Sequence, residues 1–166
     1  MDIEGMGEYE IPAEAMEQIK DPHALKRQID EGKTLQEIFG YDDATMVKFY
    51  LCAKNLFERQ EWKKSADAFL FLTSLNPYIS SYWLGLGMSE QLRGKFQGAL
   101  LAYAMAILTD VENPLPHYQS AKCYQSMGEM QNGIFSLELA VECAKRKPEY
   151  SNILEAAEEM LKAQQP

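Results

Sequence analysis

The sequence predicts an all-α fold built from three copies of one two-helix unit, with an acidic helical arm before them and a further helix after. Three observations carry that expectation. Aromatic, apolar and small residues recur at a spacing of 34 residues between 46 and 147. Helix-breaking residues punctuate the chain between them, at Asn76–Pro77, Gly94, Asn113–Pro114, Gly128 and Pro148. Charge then divides the chain: residues 1–45 carry 12 acidic and 4 basic side chains, whereas 46–166 are nearly balanced.

With registers begun at Met46, Ser80 and Pro114, the repeat reads position by position. Position 17 holds Trp62, Phe96 and Met130, and position 24 holds Phe69, Tyr103 and Leu137. Position 8 is always small (Ala53, Gly87, Ala121), as is position 20 (Ser65, Ala99, Gly133). Position 15 holds Gln60, Gly94 and Gly128, where glycine suits the left-handed residue that ends a helix. Small residues at 8 and 20 let two antiparallel helices approach closely, while large ones at 4, 17 and 24 fill the space between helices and neighbouring units. This is the tetratricopeptide pattern, clearest in Trp83, Leu86, Gly87, Ala99 and Tyr103. Two positions depart from it: Glu90 replaces the usual tyrosine at position 11, and His117 replaces an aromatic at position 4.

The expected α-solenoid therefore divides into an arm over 1–45, repeats over 46–79, 80–113 and 114–147, and a C-terminal capping helix within 148–166. Helices are expected over 43–59, 62–75, 80–93, 96–109, 115–127 and 130–145. The capping helix over 151–162 has Ile153, Leu154, Ala157 and Leu161 on one face. In the arm, residues 1–10 read as loose and 13–20 as a short helix. Asp21–Pro22 opens another helix that stops before Gly32. Thr34 and Glu37 form a capping box for a short segment ended by Gly40, and Asp42 or Asp43 caps the first repeat. Leu25, Ile29, Leu35, Ile38 and Phe39 give this arm an apolar side that must dock on the body or on a second copy.

Composition excludes several functions. A chain of 166 residues with 46% hydrophobic residues can bury one core, and none of its apolar runs approaches the ~20 residues of a spanning helix. The acidic start MDIEGMGEYEIP is unlike a secretory signal, so a cytosolic protein is expected. A net charge of −9 without a basic face disfavours nucleic acid and anionic membrane surfaces. Cys52, Cys123 and Cys143 are odd in number and far apart, and read as buried thiols; with only His23 and His117 besides, neither a metal site nor a cofactor is called for. Catalysis needs convergent titratable groups, and the sequence offers none, so no enzyme is expected.

It does offer a groove. In a stack of such repeats the first helix of each pair lines the concave side with positions 2, 5, 9 and 12. These are Val47, Tyr50, Lys54 and Phe57, then Ser81, Leu84, Met88 and Gln91, then Leu115, Tyr118, Lys122 and Gln125. Apolar and aromatic residues with a few amides and lysines suit an extended peptide. Two or three anchors at about 1.5–3 kcal/mol each, set against roughly 2–5 kcal/mol for ordering the segment, imply about micromolar affinity. The basic clamp with which some tetratricopeptide co-chaperones hold acidic C-termini is missing: its positions hold Tyr50, Lys54, Gly85, Leu115 and Gln119, of which only Lys54 is basic.

Beyond the repeat itself, a wider set of residues stands out: Gly32, Thr34, Leu35 and Ile38, then Asp43 and Tyr50, then the run Tyr82 to Gly87. It continues through Gln91, Gly94, Ala99, Tyr103, Ala106, Asn113, Pro114, Pro116, Ala121 and Cys123. On these residues the chain resembles, over about residues 32–147, the class II chaperones of bacterial type III secretion systems, the SycD/LcrH group. The resemblance implies a non-enzymatic bacterial cytosolic protein that keeps hydrophobic translocator proteins soluble before secretion. It also implies that an extended client segment with prolines and a leucine lies in the concave groove, with Tyr50, Phe57, Leu84 and Tyr118 as anchor-pocket residues. It further implies a homodimer formed through the N-terminal helices. Lys54 stands where the group often has an apolar or aromatic residue. The alternative reading is a general tetratricopeptide adaptor in a cytosolic or secretion-apparatus assembly.

Overall fold

A computed structural model describes residues 16, 17 and 20–164. The loose segment expected over 1–10 and most of the helix expected over 13–20 lie outside them. The described chain is helical throughout: α1 (Pro22–Asp30), α2 (Leu35–Ile38), α3 (Asp43–Glu58), α4 (Trp62–Leu75), α5 (Ser80–Leu92), α6 (Phe96–Thr109), α7 (Leu115–Ser126), α8 (Met130–Ala144) and α9 (Ser151–Lys162). From α3 to α9 each helix packs on its neighbours in sequence, and α9 covers α8. A short 3-10 turn over Pro148–Tyr150, not anticipated in the sequence, leads into α9.

The helix starts follow their caps. The Asp21 carboxylate accepts from the His23 N–H at 2.9 Å, and Pro22 occupies the first turn of α1. Thr34 and Glu37 close a complete capping box on α2. Asp42, rather than Asp43, caps α3 by accepting from the Thr45 N–H at 2.8 Å.

The first helix of each repeat stops by one device. After α3 the N–H of Glu61 donates to the Leu56 carbonyl and that of Gln60 to the Phe57 carbonyl, both at 2.9 Å. This is the paired bonding of a Schellman turn. The same two bonds recur after α5, from Lys95 to Glu90 and from Gly94 to Gln91, and after α7, from Glu129 to Tyr124 and from Gly128 to Gln125. The left-handed residue at the centre is Gly94 or Gly128 in two repeats and Gln60, at φ 62°, in the first.

Within each pair, positions 8 and 20 meet as their size requires. The Ser65 hydroxyl lies 3.2 Å from the Ala53 carbonyl oxygen, and Ala99 and Ala121 are fully buried. A Cβ placed on Gly133 would stand 3.5 Å from the Ala121 carbonyl. Position 24 then reaches across: a Cβ on Gly85 would overlap the Phe69 ring, and one on Gly87 would overlap the Tyr103 ring. The two aromatic rings are bedded on bare backbone.

The core falls into three clusters. The largest joins Met46, Phe49, Leu56, Phe69, Leu72, Leu75, Tyr82 and Leu86 across α3, α4 and α5. Ala99, Tyr103 and Cys123 form a second, and Ala121, Leu137, Ala140 and Ala157 a third beneath α9. Of the arm residues expected to mediate dimerisation, Ile38 is 3% exposed, and Leu35 and Phe39 pack on the first cluster. Ile38 is therefore corrected to an intramolecular contact, because α2 sits against α4, while Leu35 and Phe39 pack within the chain and stay half-buried. Leu25 is half-buried and Ile29 is 51% exposed on α1, which buries none of its residues.

Replacing Gln60 by glycine is expected to relieve a left-handed conformation that costs a side chain roughly 1–2 kcal/mol, less the ~0.4–1 kcal/mol of added unfolded-chain entropy. Thermal unfolding followed by circular dichroism should rise accordingly. Gly87→Ala should instead lower the transition by about 1–3 kcal/mol. Its overlap with Tyr103 outweighs the ~1 kcal/mol helix-propensity gain of alanine over glycine.

Candidate functional site

The first helices of adjacent units touch, α3 on α5 and α5 on α7, and their outward faces line a shared groove. Its N-terminal end is a cleft of about 630 Å³ between the arm, α3 and the 76–79 loop, lined by Thr34, Gln36, Val47, Tyr78, Ile79 and Tyr82 among others. Gln36 fixes this end: its amide oxygen accepts from Asn76 at 2.8 Å and its amide nitrogen donates to Asp43 at 3.2 Å. Further along, a smaller recess of about 110 Å³ lies between α5 and α7, bounded by Met88, Gln91, Leu92, Gln119 and Lys122.

The structure sorts the twelve sequence-derived groove residues into three groups. Val47 (55% exposed), Ser81 and Lys54 are open to solvent, the last with its ammonium 3.6 Å from Glu58. Tyr50, Leu84, Met88, Leu115, Tyr118 and Lys122 are half-buried. Tyr50 rests on Phe69 and Tyr82, with ring centroids 6.0 and 5.9 Å away. Leu84 and Met88 pack on the second core cluster and Tyr118 on the third. The Leu115 N–H donates to the Asn113 side chain at 3.0 Å.

The position-12 residues form the third group, because each leans on the second helix of its own pair. The Phe57 ring meets Trp62 edge-on at 5.0 Å. The Gln91 amide oxygen accepts from the Tyr103 hydroxyl at 2.6 Å, and the Gln125 stem lies 3.6 Å from a Cβ position on Gly133. Gln91 also borders the recess between α5 and α7.

Sequence reasoning missed Tyr78 and Ile79. They follow Pro77 in the loop between α4 and α5, and Tyr78 is 67% exposed at the cleft. Two large apolar residues in a connecting loop are the signal that would have found them.

Burial holds the Tyr103 hydroxyl well above its ordinary range and pushes the Cys123 thiol up to about 11. Cys143 is also buried and Cys52 half-buried, and burial raises both thiols. Among the described residues no group of three His, Cys, Asp or Glu side chains could hold a metal, and no helix is long and apolar enough to cross a membrane.

His117 points away from the groove, into a hollow of about 230 Å³ between α6 and α8 with Leu100, Ile107, Tyr124, Phe135 and Leu139. Glu90, the other departure, pairs with Arg93 at 2.6 Å and lies over Gly98.

The helix pairs, their shared turns and the open groove define a tetratricopeptide-class repeat protein. No family model matches the chain. It is 26% identical over 140 residues to Low calcium response locus protein H of Yersinia pseudotuberculosis, covering 84% of this chain and 83% of that protein. It superposes on the type III secretion translocator chaperone SycD of Yersinia enterocolitica with a TM-score of 0.76 and 26% identity, over 79% of this chain and 98% of SycD. PcrH, solved with the chaperone-binding region of PopD, gives a TM-score of 0.74 and 26% identity over 75% of this chain and 94% of PcrH. The chain is a homologue of these proteins, the SycD/LcrH group of type III secretion translocator chaperones.

Burial depresses the His117 pKa, so a neutral imidazole is favoured in the folded state. The unfolded chain then binds the extra proton, and this stability, present above the ordinary histidine value of about 6.5, is lost as pH falls below it. The lowered carboxylates of Glu37, Asp42, Glu61 and Glu112 lose theirs only through the acid range below. Melting temperature measured from pH 7 to 5 should fall in the wild type and flatten in His117→Phe.

Proposed function

We propose that this chain is a bacterial cytoplasmic chaperone of a type III secretion system. It keeps a hydrophobic translocator protein soluble by holding an extended segment of it in the α3–α5–α7 groove. The carrying observation is that groove, which runs along the stacked first helices of a chain that superposes over 75% of its length on PcrH, a protein solved with the chaperone-binding region of PopD. Val47, Tyr78 and Ile79 supply exposed apolar contact at the N-terminal cleft. Tyr50, Leu84 and Tyr118 are half-buried walls that shape anchor pockets. The activity is binding, not catalysis. A modest apolar gain per anchor, set against the ordering of the segment, gives the client reversible hold and leaves it releasable for export.

The role of the arm is dimerisation through α1. That helix presents Leu25 and Ile29 on one face, four residues apart, and makes no extensive contact with the repeats.

Co-expression with translocator proteins encoded nearby, followed by size-exclusion chromatography, tests the chaperone reading. A translocator insoluble alone should co-elute with this chain. If such proteins stay insoluble while an already soluble component co-purifies, an adaptor role replaces it. Because Tyr50 and Leu84 are part-buried, their removal would confuse binding with stability, so the groove is tested at its exposed end. Val47→Asp combined with Tyr78→Asp should cut client recovery about tenfold while stability moves by no more than about 0.5 kcal/mol per site. In light scattering, Leu25→Asp with Ile29→Asp should yield a monomer with full helical content; an unchanged dimer refutes the role of α1.

A further inference from the structure

We infer that the recess between α5 and α7 is a subsite for a carboxylate side chain, so that the client segment carries an aspartate or glutamate at one fixed distance from its apolar anchors. The inference rests on the groove reading above and adds a polar register mark to it. Met88 and Leu92 form apolar walls, and Gln91, Gln119 and Lys122 converge from the two helices as the polar groups. The Lys122 ammonium stands 5.6 Å from the centroid of the Tyr118 ring, which holds a cation by its electron-rich face.

Lys122 takes part in no ion pair among the described residues, whereas Lys54, the other groove lysine, is paired with Glu58. Gln91 is oriented for the same task. Its amide oxygen is occupied by the Tyr103 hydroxyl at 2.6 Å, which leaves the amide nitrogen as the group free to donate. A half-buried cation, an amide donor fixed from behind and a second amide make a donor-rich pocket of carboxylate size. In such a setting an anion forms charge-assisted hydrogen bonds, while a cation meets repulsion.

The test uses arrays of short synthetic peptides that share fixed proline and leucine anchors on an alanine–serine background. Aspartate, asparagine or lysine is stepped through the other positions, and binding to the full chain is read by fluorescence polarisation. At one position aspartate should bind about fivefold tighter than asparagine, with lysine weakest, and the preference should shrink at high salt. Lys122→Gln should remove the preference and Lys122→Glu should turn it toward lysine, while Lys54→Gln leaves it intact. Circular dichroism of the Lys122 variants should match the wild type, since the side chain closes no core. Peptides that bind without any aspartate preference, or a preference that survives Lys122→Gln, overturn the subsite alone. If no peptide in any array binds, the groove reading falls and takes the subsite with it.

Discussion

Everything in this molecule depends on how closely the two helices of a pair approach at positions 8 and 20. Ala53 faces Ser65, and Ala121 faces Gly133 with only one carbonyl's width between backbones. That approach lets position 24 of the same pair lie across glycine, Phe69 over Gly85 of the next pair and Tyr103 over Gly87 of its own. Larger side chains at 8 or 20 would separate the helices, lift the rings and open the packing that aligns α3, α5 and α7. The groove is thus a by-product of small residues buried between the helices.

The same constraint explains why so much was readable from sequence. Glycine and alanine at a fixed spacing report backbone contact directly, and the caps at Asp21, Thr34 and Asp42 use side chains whose local chemistry allows few alternatives. Helix limits from α3 to α9 agree with expectation to within a residue or two. What could not be read depends on tertiary neighbours. Ser89 looks like a surface residue, yet its hydroxyl meets that of Ser65 at 3.0 Å in the core and is also bonded to the Gly85 carbonyl at 2.8 Å. Ile38 carries the same apolar signal whether it meets its own chain or another. Position 12 follows the groove in helical phase, but whether a long side chain leans outward or back depends on what its partner helix presents, as Tyr103 does for Gln91.

The groove joins two kinds of surface. Its N-terminal cleft is apolar and wide, walled by Val47, Tyr78 and Ile79 with the acids Glu37 and Asp43 near the rim. The stretch between α5 and α7 is narrow and bears amides and a lysine. Apolar contact supplies most of the free energy of burial but little direction, since it scales with area rather than geometry. Oriented donors supply little net energy but fix register. A groove with both can grip many sequences loosely and one alignment well.

The partition of the core has a further consequence for how the chain breathes. The cluster spanning α3 to α5 is built of phenylalanine, leucine and tyrosine and is stitched across two repeats by the Ser65–Ser89 hydroxyl pair. The cluster under α9 is mostly alanine. In a linear stack, local opening is governed by nearest-neighbour interfaces, and the thinner interface opens first. The alanine-lined interface under α9 is therefore the one expected to open first, with amide exchange faster in α8 and α9 than in α3 to α5.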